Sequence, residues 1–175
     1  MSASGPSGPW SGKQGPSGPW SGKQGPSGPA QQGYLPPGLP QPVPAADGLD
    51  REFWEGTRHH VLRVQRCNEC RGWQWGPEWI CHRCHSFDLG FEAVEANGVL
   101  FATERVWHPV HPALTHAVPY VVALVELPHA GGIRVVGNLL GDPLVDVPIG
   151  APVTAVFEDH DDTDYPFTLV HWQAG

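Results

Sequence analysis

Nowhere is this chain apolar for long enough to cross a bilayer. Runs such as YVVALVEL, Tyr120 to Leu127, fall far short of the roughly 20 residues that a spanning helix needs. No run of about seven or more apolar residues follows Met1, as it would in a secretory leader. The expectation is therefore a cytoplasmic protein with no membrane partner. Sulfur is scarce as well, with one methionine and four cysteines. In a reducing cytosol so few cysteines are more often metal ligands than disulfides. Positive charge is thin where nucleic-acid binding would need it: the net charge is −8, and after Cys84 twelve acids face only Arg105 and Arg134. Such a surface repels a phosphate backbone. Between Arg51 and Cys84 the balance reverses, with six arginines to four acids.

Apolar content is also missing from the first quarter of the chain. From Gly5 the text reads GPSGPWSGKQ, repeats from Gly15, and begins again at Gly25 before passing into QQGYLPPGLPQPVP. Glycine recurs in triplets, but Ser11 and Ser21 each break the frame that a collagen helix requires. The composition predicts a disordered, partly polyproline tail over residues 1–44, unable to bury enough surface to pack.

From Asp47 the pattern changes. Asp47 is a plausible N-cap, and Leu49, Phe53, Trp54, Thr57 and Val61 fall on one helical face, which predicts a helix near Leu49 to His59 within a lead-in spanning 45–64. After the cysteines come five strand-like runs: Val99 to Trp107, Tyr120 to Leu127, Ile133 to Leu140, Val153 to Asp159 and Phe167 to Trp172. PHAGG joins the second to the third as a hairpin loop. With no helical pattern between them, the strands suit a small barrel over 96–175 such as an OB-fold, with an SH3-like barrel or an open sandwich as alternatives.

The cysteines fall as Cys67-x-x-Cys70 and Cys81-x-x-Cys84, ten residues apart. Two such knuckles, within a segment spanning 65–95, allow four thiolates to meet at one ion, and zinc is the usual occupant of that set. Rubredoxin-like iron is the second reading. CHRCH, Cys81 to His85, also fits covalent haem attachment, but that reading leaves Cys67 and Cys70 idle. A zinc ion filled by four thiolates has no open position for water, so its role is structural. His82 and His85 are then expected outside the ligand set.

Two other stretches invite chemistry. RVWHPVHPALTHAVPY carries His108, His111 and His116, yet no nucleophile or carboxylate pair accompanies them in sequence, so a rigid, proline-braced loop is expected ahead of partner contact or catalysis. EDHDDTD, Glu158 to Asp164, lacks the glycine and distal glutamate of a calcium loop and reads as a solvated segment.

The order of parts resembles a known family. DGLDREFWEGTRHHVLRVQRCNECRGWQW, ICHRCHSFD, NGVLFATERVWHP, VPYVVALVEL, GGIRVVGNLLGD and IGAPVTAVFED together resemble the family once called domain of unknown function thirty-five, over about two thirds of the chain. Arg71 and His85 stand where that family often has glycine. The resemblance implies a mainly β protein: a helix and a rubredoxin-like zinc ribbon followed by an acyl-CoA-associated OB-fold. It also implies a non-catalytic subunit, inactive alone, that binds a thiolase-fold enzyme or lipid-transfer-type aldolase and shares an acyl-CoA with it. Trp73, Trp75, Trp79, Arg105, Trp107, His108 and His111 are the candidate contacts to partner or acyl-CoA, tryptophan being enriched where interfaces are anchored. No catalytic residue is expected. The alternative is a zinc-ribbon and OB-fold module for nucleic acid, which the charge distribution disfavours.

Overall fold

The computed structural model describes Tyr34 and residues 36–175; most of the expected tail, residues 1–33 and 35, lies outside the described residues. Among the described residues the chain enters through turns and forms one α-helix, α1 (Arg51–Thr57). Eight strands follow: β1 (Leu62–Cys67), β2 (Trp73–Gln74), β3 (Leu89–Val94), β4 (Asn97–Val106), β5 (Tyr120–Leu127), β6 (Ile133–Asn138), β7 (Pro152–His160) and β8 (Phe167–Ala174).

The helix starts later than the sequence suggests. Asp47 does not cap it, because the backbone first turns twice, with Gly48 N–H donating to Ala45 O and Arg51 N–H to Gly48 O. Asp50 takes the N-cap position, and its carboxylate accepts from the Trp54 indole at 2.8 Å instead of from a backbone amide.

Two antiparallel sheets follow. The first has the order β2-β1-β3. Its β1 and β3 were not anticipated as strands: LRVQRC pairs with LGFEAV across the whole cysteine loop, Leu62 opposite Val94 and Cys67 opposite Leu89. The second has the order β6-β5-β4-β7-β8, and each of the five expected runs is one of its strands. Along β5 the side chains alternate, with Val121, Ala123, Val125 and Leu127 buried, as a strand with one face on a core requires. A parallel bridge between Leu139 and Trp172 brings the two edges together and nearly closes the barrel. Closure depends on Gly137, where an added Cβ would lie 2.6 Å from Val170 O and 2.9 Å from the Trp172 ring.

The core is shared between the sheets. Trp172, wholly buried, packs with Leu100, Val125, Leu127 and Val135 of the barrel and with Leu62 and Val64 of β1, while Phe53, Trp73 and Trp75 close over them. Burying side chains of this size contributes about 1.5–3 kcal/mol each. The described part of the expected tail also contributes: Tyr34 N–H donates to Glu158 at 2.8 Å, its hydroxyl donates to Leu139 O at 3.1 Å, and its ring lies 5.3 Å from that of His171.

Candidate metal centre and the loops around it

Each Cys-x-x-Cys pair forms the same small turn. Arg71 N–H returns to Cys67 O at 3.0 Å, and His85 N–H to Cys81 O at 2.9 Å. The residue after each second cysteine must then take a left-handed backbone, and Arg71 and His85 do so with φ of 57° and 61°. Glycine takes this conformation without the clash that a Cβ brings.

The two turns bring four sulfurs together. Cys67 Sγ lies 3.6 Å from Cys84 Sγ, Cys70 Sγ lies 3.6 Å from Cys81 Sγ, and all four are within 4.8 Å of one another. A metal–sulfur bond of about 2.3 Å sets tetrahedral sulfurs about 3.8 Å apart, so the donor set fits a single ion. It is the one group of three or more such ligands among the described residues. Cys67 and Cys81 are buried, and Cys70 and Cys84 face the surface. Crowding separates the thiols in acidity. The backbone amides of Cys84 and Arg83 hold Cys81 down to about 6. At Cys84 the amide of Ser86 acts downward, but burial and the three neighbouring sulfurs outweigh it and push the thiol up to about 12. Four negative sulfurs at this spacing require a cation between them. Because Cys81 and Cys84 pair with Cys67 and Cys70, the arrangement suits a metal and not the haem reading of CHRCH.

Two buried glutamines fix the loop between the knuckles. Gln65 and Gln74 face each other across β1 and β2, and Gln74 Nε2 donates to Gln65 Oε1 at 2.6 Å. Gln65 also accepts from Glu78 N–H and donates to Glu78 O, each at 2.9 Å, while Gln74 Oε1 accepts from His82 N–H at 3.3 Å. Sequence reading missed both, since glutamine is mostly an exposed residue and the pairing that sets Gln65 opposite Gln74 has no local signature. Outside this pair Arg66 lies over Trp73 at 4.4 Å and, with Arg71, holds Glu92. The guanidinium of Arg66, donating to Glu92, draws that carboxyl below its ordinary range. Arg63 pairs with Glu52. Most of the basic excess noted in this segment is therefore matched by carboxylates.

The candidate contact residues fall in three places. Trp73 and Trp75 are half-buried at the junction of ribbon and barrel. Trp79 stands out from the ribbon, 69% exposed. Trp107, 61% exposed, follows the end of β4 near Arg105, which donates to Pro143 O at 2.6 Å and pairs with Asp146 at 2.5 Å. His108 is exposed, but His111 is committed to structure: its Nδ1 accepts from Ala113 N–H at 3.2 Å and caps a 3-10 turn, Pro112–Leu114. The structure does not gather these residues into one pocket.

The acidic run differs from expectation at its start. Glu158 and Asp159 belong to β7 and are engaged, not merely solvated. Glu158 contacts His160 at 2.7 Å and buried His171 at 3.0 Å, and Asp159 contacts His60 and the Thr168 hydroxyl. Burial works to raise the Glu158 pKa, but the Tyr34 amide and the two histidines together hold it below the ordinary range. Burial lowers the pKa of His171, and its Nδ1 has no hydrogen-bond partner.

Comparison with known proteins agrees with the architecture. The family model described as the ChsH2 C-terminal OB-fold domain matches residues 92–158. A probable enoyl-CoA hydratase alpha subunit of Thermomonospora curvata is 38% identical over 114 residues, 65% of this chain and 34% of that protein. The 3-oxo-4,17-pregnadiene-20-carboxyl-CoA hydratase alpha subunit of Mycobacterium tuberculosis is 30% identical over 153 residues, 80% of this chain and 46% of its own length. This chain thus spans between a third and a half of these curated relatives. Among solved structures, the Ltp2-ChsH2(DUF35) aldolase matches with a TM-score of 0.63 and 30% identity, over 77% of this chain and 98% of that one. A DUF35 protein of unknown function from Sulfolobus solfataricus shares the fold alone, with a TM-score of 0.50 at 14% identity, over 74% of this chain and 87% of that one. Cysteine cluster, barrel and near-complete coverage of the aldolase chain converge: this protein belongs to the DUF35 family.

Proposed function

We propose that this chain is a non-catalytic accessory subunit that docks on a thiolase-fold acyl-CoA enzyme, such as a thiolase, an acyltransferase or a steroid side-chain retro-aldolase, and supports its acyl-CoA site. The observation that carries the reading is the 30% identity to the chain of the Ltp2-ChsH2(DUF35) aldolase over 98% of its length. The four cysteines would hold a Zn2+ ion, which supplies a structural crosslink and, filled by thiolates, no position for a substrate. Exposed Trp79, Trp107 and His108 are the contacts we assign to the partner or the shared acyl-CoA, with Trp73 and Trp75 supporting them from the junction. The nucleic-acid alternative gains no support from the ribbon, where Arg63, Arg66 and Arg71 are already held by Glu52 and Glu92.

The test is co-expression with a thiolase-fold acyl-CoA enzyme subunit from the same organism, followed by pull-down and assay of each chain alone and together. The expected result is a stable complex, acyl-CoA turnover by that complex, and none by this chain alone. Turnover by the isolated chain, or tight binding to single-stranded nucleic acid with no thiolase-fold partner, overturns the proposal.

A further inference from the structure

A cleft of about 430 Å3 opens between the lead-in and the ribbon, walled on one side by Asp47 and Glu52 and on the other by Glu78, Trp79, Phe87 and Phe91. Its charge is unbalanced. Glu52 is matched by Arg63 and by Arg51, which also lines the cleft and lies 3.6 Å from Glu52 and 3.9 Å from Glu55, but Asp47 and Glu78 have no basic partner within 4 Å among the described residues. Its apolar walls are open, with Trp79 69% and Phe87 78% exposed. The wall is also held in place, because Gln65 fixes both the N–H and the carbonyl of Glu78 next to Trp79. Two free carboxylates beside aromatic rings on a fixed backbone suit one kind of guest, a cation carried on an apolar stem. Aromatic faces attract such a group, and the carboxylates neutralise it.

We propose that this cleft receives a lysine or arginine side chain from a loop of the enzyme subunit, an inference that rests on the accessory-subunit reading and names the chemistry of one contact. The ammonium or guanidinium group lies between Asp47 and Glu78, and its methylene stem covers Trp79 and Phe87. Holding the wall ready lowers the cost of ordering it on association.

The test uses zinc-loaded, full-length, isotope-labelled protein in which the Trp79 indole N–H resonance is assigned by loss in Trp79→Phe. Addition of n-butylammonium at millimolar concentration is expected to move that resonance, n-butanol is not, and Asp47→Asn with Glu78→Gln abolishes the response. An equal response to the alcohol, or no response to the cation, overturns the proposal. In the second arm the same double variant is expected to bind the thiolase-fold subunit roughly threefold to thirtyfold more weakly, with a shallower dependence on salt. Undiminished binding overturns the docking assignment while leaving the accessory-subunit reading in place. If no wild-type complex forms, the accessory-subunit reading fails and the docking assignment fails with it. A Trp79 resonance displaced by Lys13→Gln with Lys23→Gln assigns the cleft to this chain's own repeats and overturns the partner as its occupant.

Discussion

Replacing Gln65 by methionine isolates the contribution of the glutamine pair. Methionine keeps the length and fills the space but removes both polar atoms. Three hydrogen bonds disappear: the 2.6 Å bond from Gln74 and the two 2.9 Å bonds to the backbone of Glu78. They do not weigh equally. Gln74 is 3% exposed, and its amide keeps only a 3.4 Å contact to Ile80 O, so a donor is stranded at a cost of about 1–3 kcal/mol. Glu78 is exposed and its backbone finds water, which limits those two losses to about 0.5–1 kcal/mol each. The expected total is about 2–5 kcal/mol. At about 3–4 °C per kcal/mol for a domain of this size, the melting midpoint of zinc-loaded protein falls by about 6–20 °C. Gln65→Met with Gln74→Met removes both partners, so its loss is expected to be smaller than the sum of the single losses. Urea titrations at constant slope give the same energies independently. A single substitution costing under about 1 kcal/mol, or a double variant whose losses simply add, refutes the reasoning.

Cys81→Ser is expected to reduce bound metal from one zinc per chain to near none and to unfold the ribbon, since binding energy here is also folding energy. Metal analysis with a visible spectrum checks this, and coloured wild-type protein would replace zinc by iron. His85→Gly removes the Cβ from a left-handed backbone and should stabilise the protein by about 0.5–1 kcal/mol, read as a raised melting midpoint. Acid should destabilise the fold in two stages. The lowered pKa of His171 means that the unfolded chain takes up a proton first, so its contribution is complete above the unfolded value of about 6.5 and is lost as pH falls towards the folded one. Glu158, also lowered, contributes above about 4.3 and loses that contribution as pH falls further. Melts between pH 7 and about pH 2 read both stages, and His171→Leu should flatten the first.

The barrel was legible because each of its strands carries its own signal, a valine-rich run bounded by proline, glycine or aspartate, and β5 keeps a strict alternation along its length. The four-cysteine cluster was legible because spacing alone brings the turns together. The rest depends on pairing over distance. LRVQRC is too short and too polar to mark a strand by itself, and only its partner β3, beyond both knuckles, makes it one. For the same reason Gln65 and Gln74 gave no sign of burial, since each is satisfied by the other and by a loop that neither could reach without the hairpin. The four tryptophans considered together also separate: Trp73 and Trp75 lie where two sheets meet, and Trp79 and Trp107 do not. Composition marks an aromatic residue as valuable but does not say which side of a junction it occupies.

Leu62 and Val64 belong to the ribbon sheet by strand pairing and to the barrel by packing. The ribbon is therefore not a finger on a hinge. A side chain of β1 cannot leave its place without opening a void beneath Trp172, so the two sheets move as one solid piece. Mechanically the chain is a bracket: Trp79 at one arm and Trp107 at the other keep a fixed separation. A partner that meets one arm finds the other already in position, and the second contact loses little of its strength to rotational freedom.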